Sequence, residues 1–241
     1  MRVLVTRPEP DAQDEVEELA ARGHEGIVSP LLVIEQVNDV ALDLDGAQAL
    51  IVTSRNALRA LSKHHALDAA RALPLFAVGG TTAQCARELG FAEVIEGPGN
   101  GAGLAELIVA KIDPSAGRLV HLAGDTLAFD LKSALQTRGF SVTAPVLYRA
   151  VPATEFTAEA LRSIKEGTLD GVILMSPRTA KTFLALLERH GMVTQGKRLV
   201  CYCISEAVAE MLAPLGFRVR VAARKRAEDV LALLDSKAAS S

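Results

Sequence analysis

The sequence predicts an α/β protein made of two similar parallel-sheet domains, one inserted in the other and joined by a two-stranded β-ladder hinge. Three observations lead there. Short β-rich apolar runs alternate with helical periodicity along all 241 residues, the pattern of parallel strands covered by helices on both faces. The two halves of the chain repeat one another. Each half also carries one extended stretch, 31–37 and 146–153, at the same place in its repeat.

In chain order, residues 3–5 read as a strand. A helix follows over 11–22, with Val16, Leu19 and Ala20 on one face and Gly23 to close it. Residues 26–28 form the next strand. Then come strand 50–53, helix 56–63, strand 75–78, helix 81–89, strand 93–95 and helix 104–112. Strand 119–122 leads to a helix over 127–138, and 142–148 is extended. The alternation resumes with helix 156–165 and strand 171–175. Pro177 suits the first turn of the helix that runs to Arg189. Strand 198–203, helix 205–213, strand 218–221 and helix 227–235 complete the pattern, and the tail 237–241 is expected to fray.

The repeat sets the domain division. Leu50-Ile-Val-Thr-Ser-Arg-Asn-Ala57 matches Ile173-Leu-Met-Ser-Pro-Arg-Thr-Ala180 at an offset of 123, and Leu89-Gly-Phe91 matches Leu215-Gly-Phe217 at 126. Val3-Leu-Val-Thr6, Gly23 and Pro30-Leu-Leu-Val33 parallel Val120-His-Leu-Ala123, Gly139 and Pro145-Val-Leu-Tyr148 at offsets near 115 to 117. These matches put domain one at 1–33 plus 152–241, an inserted domain two at 38–147, and linker strands at 34–37 and 148–151. Two sequential domains with a boundary near 115–118 are the rival division, which leaves the matched extended crossings unexplained. The inserted arrangement makes the cleft between the domains the expected ligand site, with motion about a thin hinge.

Composition narrows the function. Hydrophobic residues are 49% and charged residues 23%, with a net charge of −3. That balance argues against a nucleic-acid partner. No apolar run is long enough to span a membrane, and no secretory signal opens the chain, so a cytoplasmic protein is expected. Cys85, Cys201 and Cys203 lack the spacing and partners of a metal site and read as buried free thiols. Aromatics are scarce, with seven Phe, two Tyr and no Trp, so each Tyr merits attention. Tyr202 lies mid-strand and reads as core. The run Gly97-Pro-Gly-Asn-Gly-Ala-Gly103 follows a strand but has neither a clean dinucleotide-binding spacing nor the acidic residue such a site needs downstream. It reads as a flexible loop or helix cap.

Taken in order, Val5-Thr-Arg-Pro8, Val52-Thr-Ser-Arg-Asn-Ala57, Val78-Gly-Gly-Thr-Thr-Ala83, Val146-Leu-Tyr-Arg149 and Met175-Ser-Pro-Arg-Thr-Ala180 resemble the uroporphyrinogen-III synthase family of tetrapyrrole biosynthesis. The resemblance covers the whole chain. It implies a lyase that needs no cofactor and no metal, works as a monomer, and closes the linear hydroxymethylbilane into uroporphyrinogen III. Loss of the substrate hydroxyl gives an azafulvene, and a spiro intermediate allows ring D to be inverted. The task is one of orientation, because the same electrophile closes unaided to the type I isomer. The alternative is a non-catalytic two-lobed protein that binds a small molecule or a tetrapyrrole.

Such a substrate is a polycarboxylate and needs donors. Strand-to-helix turns offer backbone N–H groups at the positive end of a helix, at the carboxyl ends of parallel strands where ligands bind. The candidate substrate-binding residues are therefore Thr6, Arg7, Thr53, Ser54, Arg55, Gly79, Gly80, Thr81, Ser176, Arg178 and Ser205. Each Ser or Thr is equally suited to be an ordinary N-cap, and each Arg either a bidentate carboxylate clamp or a surface residue. Tyr148 stands at the second crossing, matches a Tyr typical of the family, and is the candidate catalytic residue. Its phenol would hydrogen-bond the departing hydroxyl, and packing on the hinge is the plainer alternative. Two departures from the family pattern bear on this. Cys203-Ile-Ser-Glu-Ala207 lacks glycines, and Gly124-Asp-Thr-Leu-Ala-Phe-Asp130 lacks the Arg often found there.

Overall fold

A computed structural model describes residues 1–235. The tail expected to fray, 237–241, lies outside them. The elements run β1 (Arg2–Val5), α1 (Asp11–Ala21), β2 (Glu25–Val28), β3 (Leu32–Gln36), β4 (Ala47–Val52), α2 (Arg55–Leu61), α3 (Leu67–Arg71), β5 (Leu75–Ala77) and α4 (Gly80–Glu88). Then come β6 (Val94–Glu96), α5 (Gly101–Lys111), β7 (Arg118–Gly124), α6 (Leu131–Gln136), β8 (Val142–Thr143), β9 (Val146–Pro152), α7 (Ala158–Glu166) and β10 (Gly171–Leu174). The described residues close with α8 (Pro177–Arg189), α9 (Val193–Gly196), β11 (Val200–Cys203), α10 (Glu206–Ala209), β12 (Arg218–Val221) and α11 (Ala227–Asp235). This is the parallel-sheet α/β class expected from the alternation.

Contacts divide the chain into two units, residues 1–33 with 151–241 and residues 34–150. The first unit holds a five-stranded sheet in the order β12-β11-β10-β1-β2, parallel at every pairing. Its strands are apolar on both faces because helices cover both. Leu4, Val172, Leu174 and Phe183 pack on one side. Val3, Val5, Ile173 and Tyr202 pack on the other with the α1 and α11 side chains. Tyr202 is core, as its strand context predicts, at 2% exposed.

The second unit holds the sheet β3-β9-β7-β4-β5-β6, with β8 also paired to β7. Reading β8-β7-β4-β5-β6 beside β2-β1-β10-β11-β12 shows one strand order used twice, the structural counterpart of the sequence repeat. Leu50, Val52, Leu75 and Val120 bury one face of this sheet, and Ala49, Ile51, Phe76 and Leu119 the other. The chain passes between the units along β3 and β9, which pair with each other. Val37 N–H bonds Leu147 carbonyl at 2.9 Å and Ala153 N–H bonds Leu31 carbonyl at 3.0 Å. One residue number rises as the other falls, so this pair runs antiparallel. The ladder is not a free-standing ribbon, because β9 also pairs with β7.

Side-chain caps explain five of the helix starts. Ser54, Asn100, Asp130, Thr157 and Ser176 each accept a backbone N–H one turn into α2, α5, α6, α7 and α8, worth about 1 kcal/mol apiece. One of these caps corrects an expectation. The helix expected over 127–138 begins only at Leu131, because the Asp130 carboxylate takes the Ser133 N–H at 3.0 Å, leaving 125–130 as a loop. The helix expected over 205–213 stops at Ala209 and yields to a 3-10 turn, Ala213–Leu215, that carries a proline. The short helices α3 and α9 have no counterpart in the sequence reading.

Candidate active site

Within residues 34–150, the carboxyl ends of the parallel strands open on a cavity of about 560 Å³. Thr53 and Ser54 line it beyond β4, Asn100 and Gly101 at the start of α5, Phe129 on the loop after β7, and Tyr148 on β9. This is where open parallel sheets bind ligands. The polar lining is neutral, made of hydroxyls, one side-chain amide and the first backbone N–H groups of a helix.

Tyr148 is half-buried and packs on the core beneath the cavity. Burial pushes its phenol above the usual value, and Asp125 pushes the same way, against a hydrogen bond with the Ser54 side chain. The phenol is therefore protonated throughout the neutral range and available as a donor. Gly124 pairs in register with Tyr148. A Cβ on Gly124 would lie 2.6 Å from the ring Cζ, so the ring rests where any larger residue would put a side chain.

Ser54 does two jobs. Its backbone is extended and its Oγ accepts the Asn56 N–H at 3.2 Å, while the same side chain meets the Tyr148 phenol. Thr53 Oγ1 lies 3.2 Å from Nε2 of His121. Asn100 accepts the Gly103 N–H at 2.8 Å, which makes the glycine-rich run a helix cap rather than a nucleotide loop. Gly101 admits Phe129, since a Cβ there would sit 2.7 Å from the Phe129 side chain. Phe129 is 38% exposed and Leu127 39%, so the loop they occupy presents an apolar wall.

The structure brings together Thr53, Ser54 and Tyr148 from the expected set. It moves others elsewhere. Thr6 must be corrected, because its hydroxyl is fully buried and donates to the Ile173 carbonyl at 2.6 Å, which ties β1 to β10. Arg7 is committed to Asp11 at 3.3 Å. Arg55 and Arg178 also have partners. Gly79, Gly80 and Thr81 lie outside the cavity lining. Gly79 abuts the backbone of Gly99, and a Cβ on Gly80 would be 3.1 Å from a Glu96 carboxylate oxygen, a poor neighbour for an anion. Ser176 forms a capping box with Thr179. Ser205 stands at the N-cap of α10 without a capping bond and lines a second cavity of about 390 Å³ with Arg224 and Lys225, inside the first unit.

Asn100, Phe129 and His121 were not singled out by the sequence. Asn100 had a usable signal, since Asn three residues before Gly103 on a strand-to-helix turn is a cap. Cys201 and Cys203 are buried, Cys85 is half-buried, and all three are free thiols. Burial pushes the first two up to about 12. Among the described residues, no cluster of His, Cys, Asp or Glu is arranged to hold a metal ion, and no helix is long and apolar enough to cross a membrane.

The family model described as "Uroporphyrinogen-III synthase HemD" matches residues 13–232. The crystal structure of uroporphyrinogen-III synthetase from Helicobacter pylori 26695 is similar at a TM-score of 0.68 and 19% identity, covering 97% of this chain and 97% of that one. A mutant uroporphyrinogen III synthase from the extremely thermophilic bacterium Thermus thermophilus is similar at 0.56 and 18% identity, covering 98% of this chain and 96% of that one. No curated protein sequence gives a significant match. At these identities the two structures share the fold, while the family model spans most of the sequence, and on that match the chain belongs to the uroporphyrinogen-III synthase family.

Proposed function

We propose that this chain converts hydroxymethylbilane into uroporphyrinogen III with inversion of ring D, and that the reacting end of the substrate sits in the cavity of residues 34–150. The observation that carries the assignment of residues is the place of Tyr148 in the lining of that cavity, where burial keeps its phenol protonated.

The pyrrole nitrogen lone pair expels the hydroxyl, and the C–O bond breaks as the Tyr148 phenol hydrogen-bonds the leaving oxygen. The pyrrole N–H gives up its proton as the azafulvene forms, and the hydroxide leaves with that proton as water. The azafulvene then accepts attack from the substituted carbon of ring D, and the spiro intermediate opens and recloses with ring D inverted. Selecting that carbon is a matter of holding the chain in one geometry. Thr53 and Asn100 supply neutral donors for carboxylates, Ser54 directs its hydroxyl to Tyr148, and the first N–H groups of α5 add partial positive charge. Phe129 and Leu127 give the pyrroles an apolar wall, which limits water at the electrophile. Ser205 remains a candidate carboxylate donor in its own unit.

The working form is read as a cytoplasmic monomer that binds no nucleic acid, in keeping with a net charge of −3. The test supplies hydroxymethylbilane, oxidises the product to porphyrins and separates the isomers. Type III in excess over type I is expected. Type I alone, at the spontaneous rate, would overturn the reading.

A further inference from the structure

His121 is a buried titratable group that the proposed mechanism does not use. It stands on β7 in register with Ile51 of β4, and its side chain has no exposed surface. Nε2 lies 3.2 Å from Oγ1 of Thr53, which forms part of the cavity wall. Among the described residues, no group bonds Nδ1. Burial drives the imidazolium pKa down to about 4, so the ring is neutral near pH 7 and carries a single N–H.

The two tautomers have opposite consequences for Thr53. With the proton on Nδ1, a buried N–H would have no acceptor. Thr53 would spend its O–H on Nε2 and turn only lone pairs toward the cavity. With the proton on Nε2, the N–H donates to Thr53 Oγ1, and the Thr53 O–H turns elsewhere. Orphaned buried N–H groups are the rarer defect, which favours the second arrangement.

We infer that His121 is a positioning residue that donates from Nε2 to Thr53 and thereby presents the Thr53 hydroxyl to the cavity as a hydrogen-bond donor, suited to a carboxylate of the substrate. An ionised carboxylate only accepts. A Thr53 turned the other way would oppose lone pair to lone pair, so His121 decides whether this wall attracts or repels an anion. The identity of the ligand rests on the proposed function, whereas the tautomer does not.

Two arms test this. Protein labelled with ¹⁵N-histidine reports the tautomer by long-range ¹H–¹⁵N correlation, the His121 signals being those lost in His121→Gln. A proton on Nε2 is expected, and a proton on Nδ1 overturns the proposal. In the kinetic arm, His121→Leu raises KM for hydroxymethylbilane about tenfold or more, the worth of a hydrogen bond to a charged group, with a smaller change in kcat. His121→Gln, whose amide also donates, restores most of it. The double variant with Thr53→Val is no worse than Thr53→Val alone. A wild-type KM in His121→Leu, or additive effects in the double variant, overturns the proposal. Should His121→Leu fail to fold, the tautomer arm on the wild-type chain still decides. Should the wild-type chain form no type III isomer, the functional reading falls, while the Nε2 proton still supports the positioning.

Discussion

The ring of Tyr148 lies directly over the α-carbon of Gly124. A Cβ at that glycine would come within 2.6 Å of Cζ and 2.8 Å of the phenolic oxygen. The relation is set by register, because Gly124 ends β7 opposite Tyr148 on β9. It seats the ring of Tyr148 against the end of β7.

Gly124→Ala should therefore push the ring off its seat. Overpacking of this kind costs about 1–3 kcal/mol, so the variant should fold with a lowered Tm. The rate of type III formation should fall further than the stability loss accounts for, toward that of Tyr148→Phe. Denaturation and isomer analysis on one preparation separate the two effects.

Thr6→Val removes a buried hydroxyl that ties β1 to Ile173 of β10. A loss of about 1–2 kcal/mol is expected, visible in urea unfolding. KM for hydroxymethylbilane should stay within about twofold of wild type at a temperature where the variant is folded, since that hydrogen bond is worth its energy to the sheet and not to a ligand.

Glu15 gives the fold a signed pH dependence. It is 3% exposed, with one carboxylate oxygen lacking a partner among the described residues, and burial raises its pKa to about 7, helped by Glu18 and Asp11 and opposed by Arg7. Below the unfolded value of 4.5 the carboxyl is neutral in both states and costs nothing. As pH climbs through 7 the buried carboxylate ionises and stability is lost, on the order of 3 kcal/mol. Glu15→Gln should raise Tm clearly at pH 8.5 and little at pH 4.5. His121 acts in the opposite sense. Its pKa is lowered by burial to about 4, so its contribution is present above 6.5 and lost as pH falls through 4.

Much of the fold was legible because parallel strands buried on both faces read as continuous apolar runs. Leu50–Val52 and Val172–Leu174 are such runs, each followed by a Ser that caps the next helix. Thr53 and Ser54 followed from that same strand-to-helix turn, and Tyr148 from its place on the second crossing. Gly124 was not legible, because its role depends on which residue of β9 it faces. Phe129 was hidden by the spacing of Leu127, Leu131 and Leu135, which looks helical until Asp130 is seen to cap. His121 sits inside an apolar strand, and only the pairing of β7 with β4 brings it to Thr53. Thr6 shows the converse. A threonine ending a parallel strand looks like a ligand donor, and here a neighbouring strand takes its hydroxyl.

The most direct measurement is the rate and isomer ratio of product formed from hydroxymethylbilane by the wild-type chain and by Tyr148→Phe, under identical conditions and with folding verified. The phenyl ring can keep the seat on Gly124 and loses only the hydroxyl. Type III formation should slow at least several-fold, with a larger share of substrate closing spontaneously to type I. An unchanged rate and ratio in Tyr148→Phe would remove the phenol from the chemistry and contradict the account.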